Sequence, residues 1–162
     1  MFEGARIMSI KTLFALVLLL VPASALAAPV ELTSQVFVEH RSIDTDGNER
    51  ISLVVAERVV PGDKLRFVIR YKNAGPTPAA DFVITNPVPA SVAYIGPEGA
   101  PQPVVSVDGG NTYGDLAALK VKQSDGTERA ARATDVTHVK WQFADKLPGG
   151  SAGEVGFRAE LR

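Results

Sequence analysis

Lys64-Leu65-Arg66-Phe67-Val68-Ile69-Arg70-Tyr71-Lys72 is the stretch that decides the fold. One register carries Leu65, Phe67, Ile69 and Tyr71; the other carries Lys64, Arg66, Arg70 and Lys72, with Val68 as the interruption. A period of two sends alternate side chains to opposite faces of a strand, so one face is expected on a core and the other in water. The chain end repeats the pattern, with Val155, Phe157, Ala159 and Leu161 set against Glu154, Arg158, Glu160 and Arg162. Val139, Trp141 and Phe143 interleave with His138, Lys140 and Gln142, and Ile51, Leu53 and Val55 with Ser52, Val54 and Ala56. Both are read as half-buried strands. Shorter candidates lie at 34–40, 80–85, 92–95, 104–107 and 119–123.

Turn chemistry falls between these runs: Asp46-Gly47-Asn48, Pro61-Gly62-Asp63, Ala74-Gly75-Pro76, Asp108-Gly109-Gly110-Asn111, Asp125-Gly126 and Pro148-Gly149-Gly150. Pro61-Gly62-Asp63 is expected to deliver the chain into its strongest strand, and Asn73 to Gly75 to turn it out again, with the Asn73 amide satisfying backbone groups in the turn. Asn86-Pro87 ends a strand because proline cannot donate to the ladder. About nine short strands at such spacing predict an all-β fold, a single immunoglobulin-like antiparallel β-sandwich, with a small barrel as the competing architecture. The one helical candidate, 126–135 with Ala130, Ala131 and Ala133, lacks an apolar stripe and reads as a surface loop.

Composition agrees. At 162 residues, 14 Gly and 11 Pro suit many short elements joined by turns within one domain. With 17 Lys+Arg against 18 Asp+Glu there is no basic field for a phosphate backbone, which excludes nucleic acid as an expected partner.

The first 27 residues are expected to lie outside the fold. Arg6 and Lys11 precede an apolar run from Leu13 to Val21, then Pro22, then Ala25-Leu26-Ala27 as a small-x-small cleavage site. This is the pattern of a secretory signal peptide, and nine apolar residues fall short of the ~20 that a membrane-spanning helix needs. Met8 offers a second start. Cleavage leaves 28–162 as the mature domain, with 15 basic and 17 acidic residues and no span-length apolar run. The chain has no cysteine, hence neither a lipid attachment site nor a disulfide, and its core must suffice alone. The expected location is the periplasm or the outside of the cell.

Candidate chemistry is sparse. Only His40 and His138 could act as a base for a nucleophile, and both are expected on solvated positions, so no catalytic residue is assigned. Two histidines without cysteine do not make a zinc site. Calcium is the better metal candidate: Asp44, Asp46, Asn48 and Glu49 offer oxygen ligands like the first half of a calcium loop, but the twelfth position falls on Val55 and the competing reading is a hairpin turn. Asp108 to Asn111 with Asp115 is a weaker version. Trp141 and Tyr71 sit on apolar registers and are expected in the core, leaving Tyr113 as the aromatic expected to be exposed. Arg66, Arg70 and Lys72 form a basic row that Asp81 or Glu57 is expected to neutralise. Edge-strand pairing offers a route to self-assembly, with the segment 30–38 as its candidate.

Several blocks together carry a resemblance. Val59-Val60-Pro61-Gly62-Asp63, the alternation through Tyr71, Asn73-Ala74-Gly75 and the run from Ala80 to Pro89 through Asn86-Pro87, followed by Trp141, Leu147-Pro148-Gly149 and Val155-Gly156-Phe157, resemble the bacterial repeat called domain of unknown function 11 over about 50–162. The resemblance implies an immunoglobulin-like sandwich in an exported or surface protein, and it brings no activity. Members often carry the domain in tandem, and some are envelope structural proteins or adhesins; this chain carries one copy and no cysteine. The expected function is a non-catalytic structural or interaction module of the cell envelope, with an envelope protein or polymer as partner. The alternative is a calcium- or small-ligand-binding protein using the acidic turns.

Overall fold

The computed structural model describes residues 30–162; the expected signal segment 1–27 lies outside the described residues. Ten strands follow one another: β1 (Val30–Ile43), β2 (Glu49–Val55), β3 (Lys64–Asn73), β4 (Val83–Pro87), β5 (Val92–Glu98), β6 (Val104–Ser106), β7 (Lys120–Lys122), β8 (Glu128–Ala130), β9 (His138–Gln142) and β10 (Ala152–Leu161). One sheet has the order β2-β1-β3-β10-β5, a second has β4-β9-β6, and β7-β8 is a small ribbon, all antiparallel. Two separate sheets make a sandwich and not a barrel.

The central strand β3 is where the sequence places it. Leu65, Phe67 and Ile69 are buried and Tyr71 packs on the same core, while Arg66 and Arg70 face the other way. From β10 come Val155, Phe157 and Ala159, from β5 Val92 and Tyr94, and across the sandwich Ile84, Val105, Val139 and Trp141. Phe157 stacks on Phe67 at 4.6 Å between centroids and lies 6.5 Å from Trp141, so it ties the two layers together. Tyr71, Phe82 and Phe143 close one end as a second aromatic cluster, with centroids 5.0 to 5.3 Å apart.

Turn residues act as their chemistry requires. Gly62 takes φ +94°, a conformation open to glycine, and donates its N–H to Leu161 O, while the Asp63 carboxylate accepts from Val60 N–H. Asn73 is fully buried: Nδ2 donates to Thr77 O and Leu147 O, and Oδ1 accepts from Gly75 N–H. It pins two loops to the end of β3. One of these loops passes so close that a Cβ at Gly149 would collide with the Pro76 carbonyl. At the other proline stop, β4 ends on Pro87 and the Asn86 amide donates to the Pro87 carbonyl.

Four expectations are corrected. The strand expected at 80–85 begins only at Val83, because Asp81 turns the chain at φ +51°. The segment 126–135 is neither helix nor plain loop: Asp125-Gly126 closes the β7–β8 hairpin, and Ala133–Asp135 makes one 3-10 turn. In the basic row Arg66 is met by Glu39 and Glu98 and Arg70 by Glu154, not by Asp81 or Glu57, since these three acids lie on the same face of the same sheet, on β1, β5 and β10. Finally, β2 is a strand but not a half-buried one, for all seven of its residues are exposed.

Candidate functional site: the β1–β2 arm

β1 is long because it serves two partners in succession. Its residues from Val30 to Val38 pair with β3, and those from Phe37 to Ile43 pair with β2. β3 begins beside Val38, with Leu65 opposite it, while the β1–β2 ladder runs on to Ile43, so the hairpin's far part projects as a two-stranded arm. The segment 30–38, expected as an assembly strand, is taken up by pairing with β3.

On the outer face of this arm the register aligns Phe37 with Val55, Glu39 with Leu53 and Arg41 with Ile51. The result is an aliphatic stripe in water: Ile43 is 77% exposed, Ile51 49%, Leu53 41% and Val55 48%. Contiguous exposed apolar patches mark docking surfaces on otherwise soluble proteins. An isolated two-stranded hairpin is also only marginally stable in water, so the arm has little support of its own.

Glu39 anchors the root of the arm. Its side chain is fully buried, although it lies on the outward face of the sheet, because two arginines cover it. Oε1 accepts from Arg158 Nε at 2.9 Å and Arg66 Nε at 3.1 Å, and Oε2 accepts from Arg158 Nη2 at 3.2 Å. Arg66 also pairs with Glu98, completing a four-residue cluster across β1, β3, β10 and β5. Burial pushes the Glu39 carboxyl up, but the hydrogen bonds and charges of Arg158 and then Arg66 outweigh it and hold the group below its ordinary value. The sequence shows a lone acid after Val36-Phe37-Val38 and two arginines far along the chain, and only the strand order brings them together.

The acidic turns are wound by their own donors. Asp44 Oδ1 accepts from Asp46 N–H and Asn48 N–H, and Oδ2 from Arg50 Nε; Glu49 pairs with Arg41 across the ladder. Of the calcium candidates, Asp46 and Asn48 therefore meet Asp44 through backbone N–H groups, and Glu49 points to a guanidinium. This is hairpin chemistry, since N–H donors and a cation occupy the lone pairs that a metal would need. Asp108 is wound more tightly, accepting from Thr112 Oγ1 and N–H, Ser106 Oγ and Asn111 N–H. Those bonds, the Thr112 hydroxyl's first, hold its carboxyl far below the ordinary range. Among the described residues no three acids or histidines are grouped to hold a metal ion.

The second sheet brings Ser106 opposite His138, with Asp108 two residues on, which are the three residue types of a hydrolytic triad. Their connections are wrong for one: the fully buried Ser106 hydroxyl donates to Asp108, and His138 Nδ1 meets Thr137 Oγ1 at 3.2 Å. Tyr113 is half-buried, with the Lys140 ammonium 3.9 Å from its ring centroid, so its expected free face is occupied. His40 is exposed near the root of the arm. Among the described residues no helix is long and apolar enough to cross a membrane. Comparison of the chain with protein-family models, with curated proteins and with solved structures finds no match.

Proposed function

We propose that this chain is an exported, non-catalytic interaction module of the bacterial cell envelope, an immunoglobulin-like domain that docks through the outer face of its β1–β2 arm. The observation that carries the reading is the aliphatic stripe Ile43, Ile51, Leu53 and Val55, left in water on a hairpin that its own core does not support. A protein that needed the arm only to close a loop would gain solubility from polar residues there. The signal-like first 27 residues and the resemblance to exported repeat domains support the location. The wiring of Ser106, Asp108 and His138 supports a non-catalytic role, because the Ser106 hydroxyl donates to Asp108 while His138 meets the Thr137 hydroxyl instead of Ser106.

The test is fractionation of cells producing the full chain, with mass spectrometry of the recovered protein. A chain beginning at Ala28 in the periplasm or the medium is the expected result. An unprocessed chain in the cytosol overturns the location. Leu53→Lys should lower the share retained with envelope material, and unchanged retention overturns the docking role of the arm.

A further inference from the structure

We infer that β2 pairs with β2 of a second copy of this chain, antiparallel about a two-fold axis at Ser52, joining two five-stranded sheets into one continuous sheet. The inference rests on the arm being a docking surface, but not on where in the cell the protein resides.

The backbone bonds within the hairpin show which groups are free. Asp44 N–H donates to Asn48 O and Ala56 N–H donates to Val36 O, so the even-numbered residues of β2 point their N–H and C=O groups at β1. The odd-numbered residues Glu49, Ile51, Leu53 and Val55 therefore aim theirs at the open edge. A two-fold axis normal to the sheet keeps each face on its own side, so odd-numbered residues must meet odd-numbered residues. Among such registers, the one centred on Ser52 pairs all seven residues of the strand, placing Ile51 opposite Leu53 and Glu49 opposite Val55 of the other copy; a shift by one residue of the centre leaves only five rows.

Three features favour a second copy as the occupant. First, the strand is self-complementary: the apolar positions Ile51, Leu53 and Val55 of the two copies run together as one stripe on one face. Second, its charges do not oppose pairing. Arg50 is neutralised by Asp44 and Glu49 by Arg41 within the hairpin, and the two-fold sets this balanced head beside the Glu57–Arg58 tail of the other copy, itself one acid and one base. Third, β2 is the long edge left without a guard. The β5 edge is itself bulged at Ile95, carries Pro97 and is packed by the Ala133–Asp135 turn; β4 stops at Pro87; β6 is three residues long and is bridged by Gly114. The open end of β1, from Val30 to Gln35, carries Glu31, Thr33, Ser34 and Gln35. β2 has neither proline nor bulge nor an unpaired charge at its centre.

The protein lacks cysteine, which makes the register directly testable. In the proposed pairing Ser52 faces Ser52 of the other copy at a non-hydrogen-bonded position, with Cα atoms about 4.5 Å apart, inside the disulfide range. The two copies of Val54 are offset by four residues, about 13 Å. The purified protein is expected to show twice its chain mass by light scattering at ~100 µM and to dissociate on dilution. Under mild oxidation Ser52→Cys should form a covalent dimer at least ten-fold faster than Val54→Cys. Leu53→Pro removes an N–H that faces the edge and leaves the β1 ladder intact, and Leu53→Lys charges the stripe; both should give the monomer mass with a cooperative melt. A monomer at ~100 µM overturns the inference and leaves a foreign strand as the occupant. A dimer that survives both Leu53 variants, or equal cross-linking at 52 and 54, overturns it as well. Fractionation reports residence and light scattering reports pairing, so the two readings fail separately.

Discussion

β2 and β3 read almost alike, each with a large apolar residue at every second position, yet one is exposed along its whole length and the other carries the core. The difference lies in what stands opposite. β3 has β1 and β10 at its sides and the β4-β9-β6 sheet across from it, so Leu65, Phe67 and Ile69 are covered. β2 has a neighbour on one side only and no layer over it at all. Alternation reports that a segment is a strand with an apolar side; whether that side is buried depends on another layer.

Substitutions that treat the two strands alike should therefore give very different answers. The largest effect is expected at Phe157→Ala, which removes the ring stacked on Phe67 at zero exposure and should cost about 3–5 kcal/mol in chemical denaturation. A loss below about 1 kcal/mol would show that the two layers are not tied there. Next comes Asn73→Ala, which strands the Thr77 carbonyl and the Gly75 N–H at the end of β3 and leaves Leu147 O with only the Ala79 N–H; about 2–3 kcal/mol is expected from the same measurement.

Glu39→Gln probes the junction between the two regions. It keeps the shape but leaves Arg66 and Arg158 without their shared anion, and about 2 kcal/mol should be lost at pH 7. The acid response has the same origin. Glu39 sits below its ordinary 4.5, and Asp135 is taken from 3.8 to about 2, foremost by its bond from Arg129. The folded protein thus binds fewer protons than the unfolded chain, so these groups stabilise it above their unfolded values, and that contribution is lost as pH falls through the folded ones. Thermal melts should be flat from neutrality to about pH 5 and then decline toward about pH 2, with Glu39→Gln removing the upper part of the decline. A melting temperature that rises on acidification would reverse the assigned sign. The smallest effect is expected at Leu53→Ala in dilute monomer, about 0.5 kcal/mol or less, because that side chain is already wet.

Much of the fold was legible. β3, β9 and β10 follow from alternation, Pro61-Gly62-Asp63 and Asn73 to Gly75 from turn chemistry, and Trp141 in the core from its register. Local chemistry governs these features, and it is written in neighbouring residues. The three-residue β8 was harder, since so short a ladder carries no period and the alanines at 130, 131 and 133 point toward helix, whereas β7 lies within the strand candidate at 119–123. The site was legible only in parts. Its aliphatic residues were visible in Ile51, Leu53 and Val55, but their exposure was not.

By itself, then, the amino-acid sequence determined an antiparallel β protein, where most of its strands and turns lie, and which residue types were available for chemistry. Tertiary structure alone decided that Glu39 meets Arg66 and Arg158 across a separation of up to 119 residues, that Ser106 turns to Asp108 instead of His138, and that β2 stands at an open edge. The physical reason is range. Alternation and turn propensity act over a few residues, whereas burial and ion pairing depend on the order in which distant strands are laid side by side.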